Sequence, residues 1–447
     1  MVKCCWILMG MWASVLAQAA MPVTTQSAAT LQFENFSTPV VLHAVGEQVY
    51  QVEASQQRVM VARRLVVRVA ADFPRQRIAA AAGIDNVSAL FLGHDYQYWL
   101  VALSPGVDIA EMLAAVADIP GVERVQPDLL QLRDKAGDET TDLHSSGHYQ
   151  VNGLAALWQA TEGKGVQVAV IDDGFALNHP QFVQLSPTFL YDTASQQLNA
   201  APQNSQDTHG TRVAGVLFAA HDGHGLKGLV PDAGLIGIRQ PDSWTSNTLL
   251  AFQLAAMSRA DVINCSWTTR LLLEPVQDVV RDLARWGRAG RGLPVVFAAG
   301  NEGRLITPHS SEAAIPEAIV VGALGLRQQR LPHSNYGPTV DLYAFGLPLD
   351  STDIAGGYHA FGGTSLAAAI VSGLAALIIA TEPDIPLSAL QQRLADLLPA
   401  PMSVASSAGT PDPAVISEPA GVATAVAPVS GSPEFGLSLT SLVRKYP

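Results

Sequence analysis

Val168-Ala-Val-Ile-Asp-Asp-Gly174 is a run of small and branched apolar residues that stops on two carboxylates and a glycine. A short apolar run of this kind reads as a strand buried on both faces, the situation of a parallel sheet covered by helices. Similar runs recur at 235–238, 262–266, 295–299, 319–323 and 340–343. Helix-like stretches at 211–220, 248–257 and 275–286 lie among them, and 365–380 follows the last. This alternation predicts an α/β fold, a doubly wound and mostly parallel sheet, over residues 150–398.

Upstream, residues 62–133 read as a smaller α/β unit. Strands are expected at 64–70, 96–103 and from 122, with helices at 75–83 and 108–117. Residues 21–61 are polar and mixed, with one short strand expected at 39–44, and 134–149 read as an exposed linker. From 399 onward Ala, Pro, Ser, Val and Gly dominate, the composition of a flexible tail. The first twenty residues combine Lys3, an apolar stretch and Ala17-Gln-Ala19, the pattern of a secretory signal, so the product is expected to be secreted or periplasmic. No later run is long enough to predict stable membrane insertion, 366–380 being too short.

The 447 residues are 48% hydrophobic and 15% charged, a globular composition, and the net charge of −13 argues against a nucleic-acid binder. Arg58, Arg63, Arg64, Arg68, Arg75 and Arg77 form the notable basic cluster, read as a solvated face or a docking surface for an acidic neighbour. Of three cysteines, Cys4 and Cys5 fall in the signal, which leaves Cys265 alone in an apolar run. That pattern predicts no disulfide, no Cys-x-x-Cys metal pair and a buried, inert thiol.

Four segments carry chemistry. Asp172 ends its strand at the edge where open α/β sheets place functional groups. In Asp207-Thr-His-Gly-Thr-Arg-Val-Ala-Gly215, His209 opens a helix whose small residues permit close packing, which can hold one imidazole tautomer beside a carboxylate. In Phe361-Gly-Gly-Thr-Ser-Leu-Ala-Ala-Ala-Ile-Val-Ser-Gly373, Ser365 stands at the positive end of an apolar helix, where an alkoxide is easier to form. In Val295-Val-Phe-Ala-Ala-Gly-Asn-Glu-Gly303 a strand ends on Gly300-Asn301, whose amide can donate to developing negative charge. Singly, each also fits a turn, a cap or a structural residue.

Together and in this order they resemble the motifs of subtilisin-like serine peptidases, including Gly228-Leu-Val-Pro-Asp-Ala233 after the histidine segment. The resemblance implies Ser365 as nucleophile, His209 as general base, Asp172 as its orienting partner and Asn301 in the oxyanion hole. It implies substrate contacts at Asp173, Ser266, Trp267, Thr268 and Gly300. Residues 62–133 resemble, more weakly, the family's propeptides, which makes 21–140 an intramolecular inhibitor cut away between Leu130 and Thr141. Expected partners are peptide or protein substrates and this propeptide. No cofactor is implied; structural calcium is common in the family, and no metal site stands out in the sequence. Departures from the family pattern are Leu366 for Met, Ala369 for Pro and Thr268 for Gly.

Asp172-Asp173 and Asp261-Val-Ile-Asn-Cys-Ser-Trp267 look kexin-like, yet no carboxylate follows Thr268 before Glu274, and Arg270 intervenes. The expectation is therefore an apolar or small residue before the cut, with Asp173 favouring a basic residue one position upstream. The alternative function is a catalytically silent binding protein on the same fold. An exported nucleotide-binding protein is disfavoured, since no Gly-x-Gly-x-x-Gly follows Ile171.

Overall fold

A computed structural model describes residues 30–133, 149 and 151–400. Its N-terminal unit begins earlier than expected. Thr-Leu-Gln-Phe-Glu-Asn alternates outward and inward side chains, and that period of two makes Thr30–Asn35 a strand, β1. There follow β2 (Thr38–Gly46), β3 (Val49–Val52), β4 (Arg58–Ala70), α1 (Gln76–Ala79), β5 (Ile84–Leu92), β6 (Tyr96–Leu103), α2 (Ile109–Ala117) and β7 (Val122–Gln131). The compact unit thus spans the described residues from Thr30, not from 62. The expected helix over 75–83 shrinks to one turn. The expected helix over 108–117 forms with Asp108 as its cap, its carboxylate accepting from the Ala110 and Glu111 amides.

The second unit runs α3 (Leu154–Ala160), β8 (Gln167–Asp172), β9 (Phe189–Asp192), α4 (His209–Phe218), β10 (Gly234–Arg239), β11 (Ser243–Trp244), α5 (Thr245–Met257) and β12 (Val262–Cys265). It continues with α6 (Glu274–Gly290), β13 (Val295–Ala298), β14 (Ile319–Leu324), β15 (Leu342–Phe345), β16 (Leu349–Thr352), β17 (Tyr358–Phe361), α7 (Gly363–Thr381) and α8 (Leu387–Leu397). Its seven-stranded sheet, ordered β15-β14-β13-β12-β8-β10-β9, is parallel throughout. This is the α/β architecture expected. From β8 the chain places β9 at one edge and then β10 between the two, and from β12 onward it builds outward on the other side. The ends of β8 and β12 therefore form the switch point at which open α/β sheets place their sites.

Two apolar cores cover the sheet. On one face α4, α7 and α8 pack on Val168, Val170, Val296 and Val321. Helix α7 is apolar enough to pass for a membrane span by composition, but it is buried inside the protein and forms the core of this face. On the other face α5 and α6 share a continuous core with the N-terminal unit, Leu90, Phe91 and Tyr98 joining the cluster that holds Leu249, Phe252 and Val279. Polar contacts seam the same interface: Asp278 of α6 accepts from Arg68, Arg124 and Tyr98. Of the arginine cluster, expected to be a solvated face or a docking surface for an acidic neighbour, Arg58, Arg63, Arg75 and Arg77 are exposed, while Arg68 docks on Asp278 of the same chain.

The two units also share a sheet. β7 pairs with β4 and, antiparallel, with β11, so that Leu130 lies opposite Trp244 and Gln131 opposite Ser243. Asp128 secures the join by accepting from the Ser246 amide at 2.9 Å and its hydroxyl at 2.7 Å, with Arg64 paired to it at 2.7 Å. The expected signal at 1–20, most of the linker at 134–149 and the tail beyond 400 lie outside the described residues.

Candidate active site

Two elements bring Asp172 and His209 together. Asp172 is the last residue of β8, wholly buried, and His209 is the first of α4. The His209 Nδ1 lies 2.9 Å from each Asp172 carboxylate oxygen. A carboxylate there makes Nδ1 the protonated ring nitrogen and leaves Nε2 as the acceptor. Nε2 is buried with no hydrogen-bond partner. Phe361 meets the imidazole edge-on with centroids 5.5 Å apart, which fixes the ring plane.

The close approach depends on Gly210. A Cβ at that position would lie 2.5 Å from the Gly174 carbonyl oxygen and 2.9 Å from the Asp172 Cβ. Asp173 adds a second tie, its oxygens accepting from the His209 amide at 3.2 Å and the Gly210 amide at 2.8 Å. Such capping favours an anion at a helix start. The carboxylate expected to meet substrate is therefore turned into the fold, where it positions His209.

Ser365 sits in the first turn of α7, after Gly363 in the left-handed region at φ 69°. Its hydroxyl donates to the Ser266 carbonyl at 2.9 Å, and the Ser266 hydroxyl donates back to the Ser365 carbonyl at 3.0 Å. Beneath this pair Asn264 donates to the Ser266 Oγ and accepts from Ser372 of α7, so a buried polar chain sets the register between β12 and α7.

Asn301 follows β13. Its Oδ1 accepts from the Thr364 amide at 3.0 Å and the Thr364 hydroxyl at 3.1 Å, which leaves the NH2 group to serve an acceptor from outside. Gly300, at φ 97°, makes the turn, and a Cβ there would lie 2.3 Å from the Asn335 amide nitrogen. Thr268 is buried, and the Trp267 indole donates to the Ile171 carbonyl at 2.7 Å. The structure thus gathers Asp172, His209, Ser365, Asn301 and the 266–268 segment at the strand ends, and gives Asp173 another place. A separate cavity of about 660 Å³ among Phe175, Asn178, Leu190, Pro202 and Asn204 is lined by none of these residues.

Sequence reasoning missed Glu312 and Arg133. Glu312 is buried, accepts from the Thr269 amide at 2.7 Å and hydroxyl at 2.8 Å, and burial pushes its carboxyl above the usual range. Arg133 reaches the cleft after β7. Neither carries a local signature, since both meet their neighbours across long stretches of chain.

Residues 163–399 match the subtilase family. The chain belongs to the subtilase family. It is 31% identical over 258 residues to Subtilisin NAT of Bacillus subtilis subsp. natto, covering 56% of this chain and 64% of that protein. Subtilisin of Bacillus pumilus is likewise 31% identical, with 89% of its length covered. A calcium-dependent protease of Trichormus variabilis is 28% identical, with 43% of its length covered. Among solved structures, fervidolysin of Fervidobacterium pennivorans shares the fold at a TM-score of 0.56 and 21% identity, over 72% of this chain and 55% of that one. Subtilases need no cofactor for their chemistry. Among the described residues no group of three or more His, Cys, Asp or Glu side chains forms a metal cradle.

Proposed function

We propose that this subtilase is an exported serine endopeptidase made as an inhibited precursor. In this reading residues 1–20 direct export, 21–140 form the inhibitory unit, 141–398 the catalytic domain and 399–447 a tail. The observation that carries the peptidase reading is the buried His209–Asp172 pair, its Nε2 left as an acceptor, on a chain that matches a peptidase family. Ser365 Oγ attacks the peptide carbonyl and passes its proton to His209 Nε2, while Asp172 stabilises the imidazolium that forms. The oxyanion takes hydrogen bonds from the Asn301 NH2 and from the Ser365 amide, in the first turn of α7. Collapse expels the amine, which takes the proton back from His209. Water then repeats the sequence on the acyl-enzyme.

The inhibitory role of the N-terminal unit is supported by where its last strand runs. β7 lies antiparallel on β11, Gln131 donates to the Leu271 carbonyl and Arg133 to the Gln240 carbonyl. An extended segment laid along a free edge of this kind is how a peptide adds itself to a sheet.

A fluorophosphonate tests the peptidase reading, because only an activated serine reacts with it. Wild type should label at Ser365. Ser365→Ala should lose label and about a million-fold in turnover, the size of effect known for subtilisin itself. Retention of a tenth of the activity, or no labelling of the wild type, refutes it. N-terminal sequencing of secreted active protein should give a start between Leu130 and Thr141. A start near residue 21 refutes the inhibitor reading.

A further inference from the structure

Arg133 holds the most unusual environment in the cleft. Its guanidinium lies 3.8 Å from the centroid of the Trp267 ring, and one nitrogen donates to the Gln240 carbonyl at 2.7 Å. Its Nε and remaining Nη are shielded from solvent and have no hydrogen-bond partner. Three residues earlier Leu130 is buried against Met60 and Trp244. An apolar anchor on β7 and a stacked guanidinium two residues past its end therefore lie close together in the chain.

Burying a guanidinium with donors unpaired is costly, and an isolated one would not stay. Burial does pull the Arg133 pKa down, while the carboxylates of Asp172, Asp242 and Glu312 act on it in the opposite direction. All three belong to the second unit, as do Trp267 and the Gln240 carbonyl. The Trp267 face and the Gln240 carbonyl that hold the guanidinium therefore remain when β7 leaves. No carboxylate lies between Thr268 and Glu274 in the chain; Glu312 arrives instead from beyond β13, on Thr269, and Arg270 is exposed.

We propose that the face of Trp267 with the Gln240 carbonyl is a guanidinium site. Peptides cut by this enzyme carry arginine where Arg133 lies and an apolar residue three positions earlier, where Leu130 lies. The proposal rests on the peptidase reading and names its substrate class. A planar guanidinium can stack and donate at once, which a lysine ammonium cannot, so arginine is preferred over lysine.

Two measurements test it. The first uses active enzyme and peptides containing Leu-Gln-Leu-Arg, the Arg replaced in turn by citrulline, lysine and leucine. Citrulline keeps the shape and loses the charge, so kcat/KM should fall by about tenfold or more, the scale of one charge-assisted contact. Mass spectrometry should place arginine at one fixed distance from the cut. Equal rates for arginine and citrulline, or faster cutting of the leucine peptide, overturn the proposal.

The second needs no catalysis. The full chain carrying Ser365→Ala and Arg133→Ala should rise in Tm when ethylguanidinium is added, and not with ethylurea. The Ser365→Ala chain, its site filled by Arg133, should respond to neither. An equal response of the two chains to ethylguanidinium, or none in the Arg133→Ala chain, overturns the site whatever the enzyme does. Failure of fluorophosphonate labelling alongside a positive ethylguanidinium response would instead refute the peptidase reading and leave the guanidinium site standing.

Discussion

Asp278 is the side chain whose loss should most loosen the N-terminal unit. One carboxylate oxygen accepts from Arg68 at 2.5 Å, Arg124 at 2.9 Å and the Tyr98 hydroxyl at 2.8 Å, and the other accepts from Arg281 at 3.1 Å. Asp278→Ala leaves two guanidinia from β4 and β7 facing α6 with no central anion. Removing one partner of a fully buried pair costs about 3–5 kcal/mol. Arg68 and Arg124 are 23% and 26% exposed, and each keeps a second carboxylate, Glu123 and Glu274 respectively. Water and those partners screen the loss, so about 2–3 kcal/mol is the better figure, or about thirty- to a hundred-and-fifty-fold in the opening equilibrium. Hydrogen exchange on the Ser365→Ala full chain reads this opening without interference from cutting. Amides of β4 and β6 should exchange faster by that factor, with β12 and β13 unchanged. Asp278→Asn, which keeps an acceptor for Tyr98, should fall between. Exchange in β4 within about twofold of the parent would refute the view that this cluster holds the seam.

Gly210→Ala should lower kcat at least tenfold with little change in the far-ultraviolet spectrum, because a Cβ 2.5 Å from the Gly174 oxygen pushes His209 away from Asp172. Unchanged kcat would show that the helix start can shift without cost. Cys265 should not react with a thiol reagent until the protein unfolds, since it is wholly buried and burial pushes its thiol well above the ordinary range. Reaction at the rate of a free thiol in the native protein would refute this. Glu312 has a raised pKa, so its contribution to stability is complete below the unfolded carboxyl range and is lost as pH rises through the folded value. Glu312→Gln should therefore gain in Tm relative to wild type between pH 4 and pH 7; a difference that is constant or falls with pH refutes the burial argument.

What could be read from the sequence is what is local. Asp172, His209, Asn301 and Ser365 each stand where an apolar strand stops or a small-residue helix starts, and those boundaries are written in a few consecutive residues. Six of the seven parallel strands are apolar runs that the structure keeps to within a few residues, while β9, a partly buried edge strand, has no such run. Elements whose pattern is interrupted escaped. β5 pairs with β6 through two register shifts, which break the alternation a strand is read by. β1 carried a clear period of two over six residues and was hidden by its polar composition. Asp173 and His209 are separated by 36 residues, Thr269 and Glu312 by 43, and Arg133 and Gln240 by 107, so nothing in either neighbourhood announces the contact. The surroundings of Trp267 are thus completed by residues that only folding brings in.

If the N-terminal unit is an inhibitor, the strand pairing shared by the two units would link inhibition to specificity. β11 is a two-residue strand of the second unit, yet it pairs with β7 of the first. If the N-terminal unit departs, the Ser243–Trp244 backbone, the apolar contact of Leu130 and the face of Trp267 are uncovered together. A peptide that takes all three must present an extended backbone, an apolar residue and a guanidinium at the spacing of Leu130-Gln-Leu-Arg133. The features of the second unit that would hold the inhibitor in the cleft are then those that would select a substrate. Substitution of Arg133 should weaken self-inhibition without altering the preference of the freed enzyme, because the carboxylates and Trp267 remain. Substitution of Trp267 should weaken both.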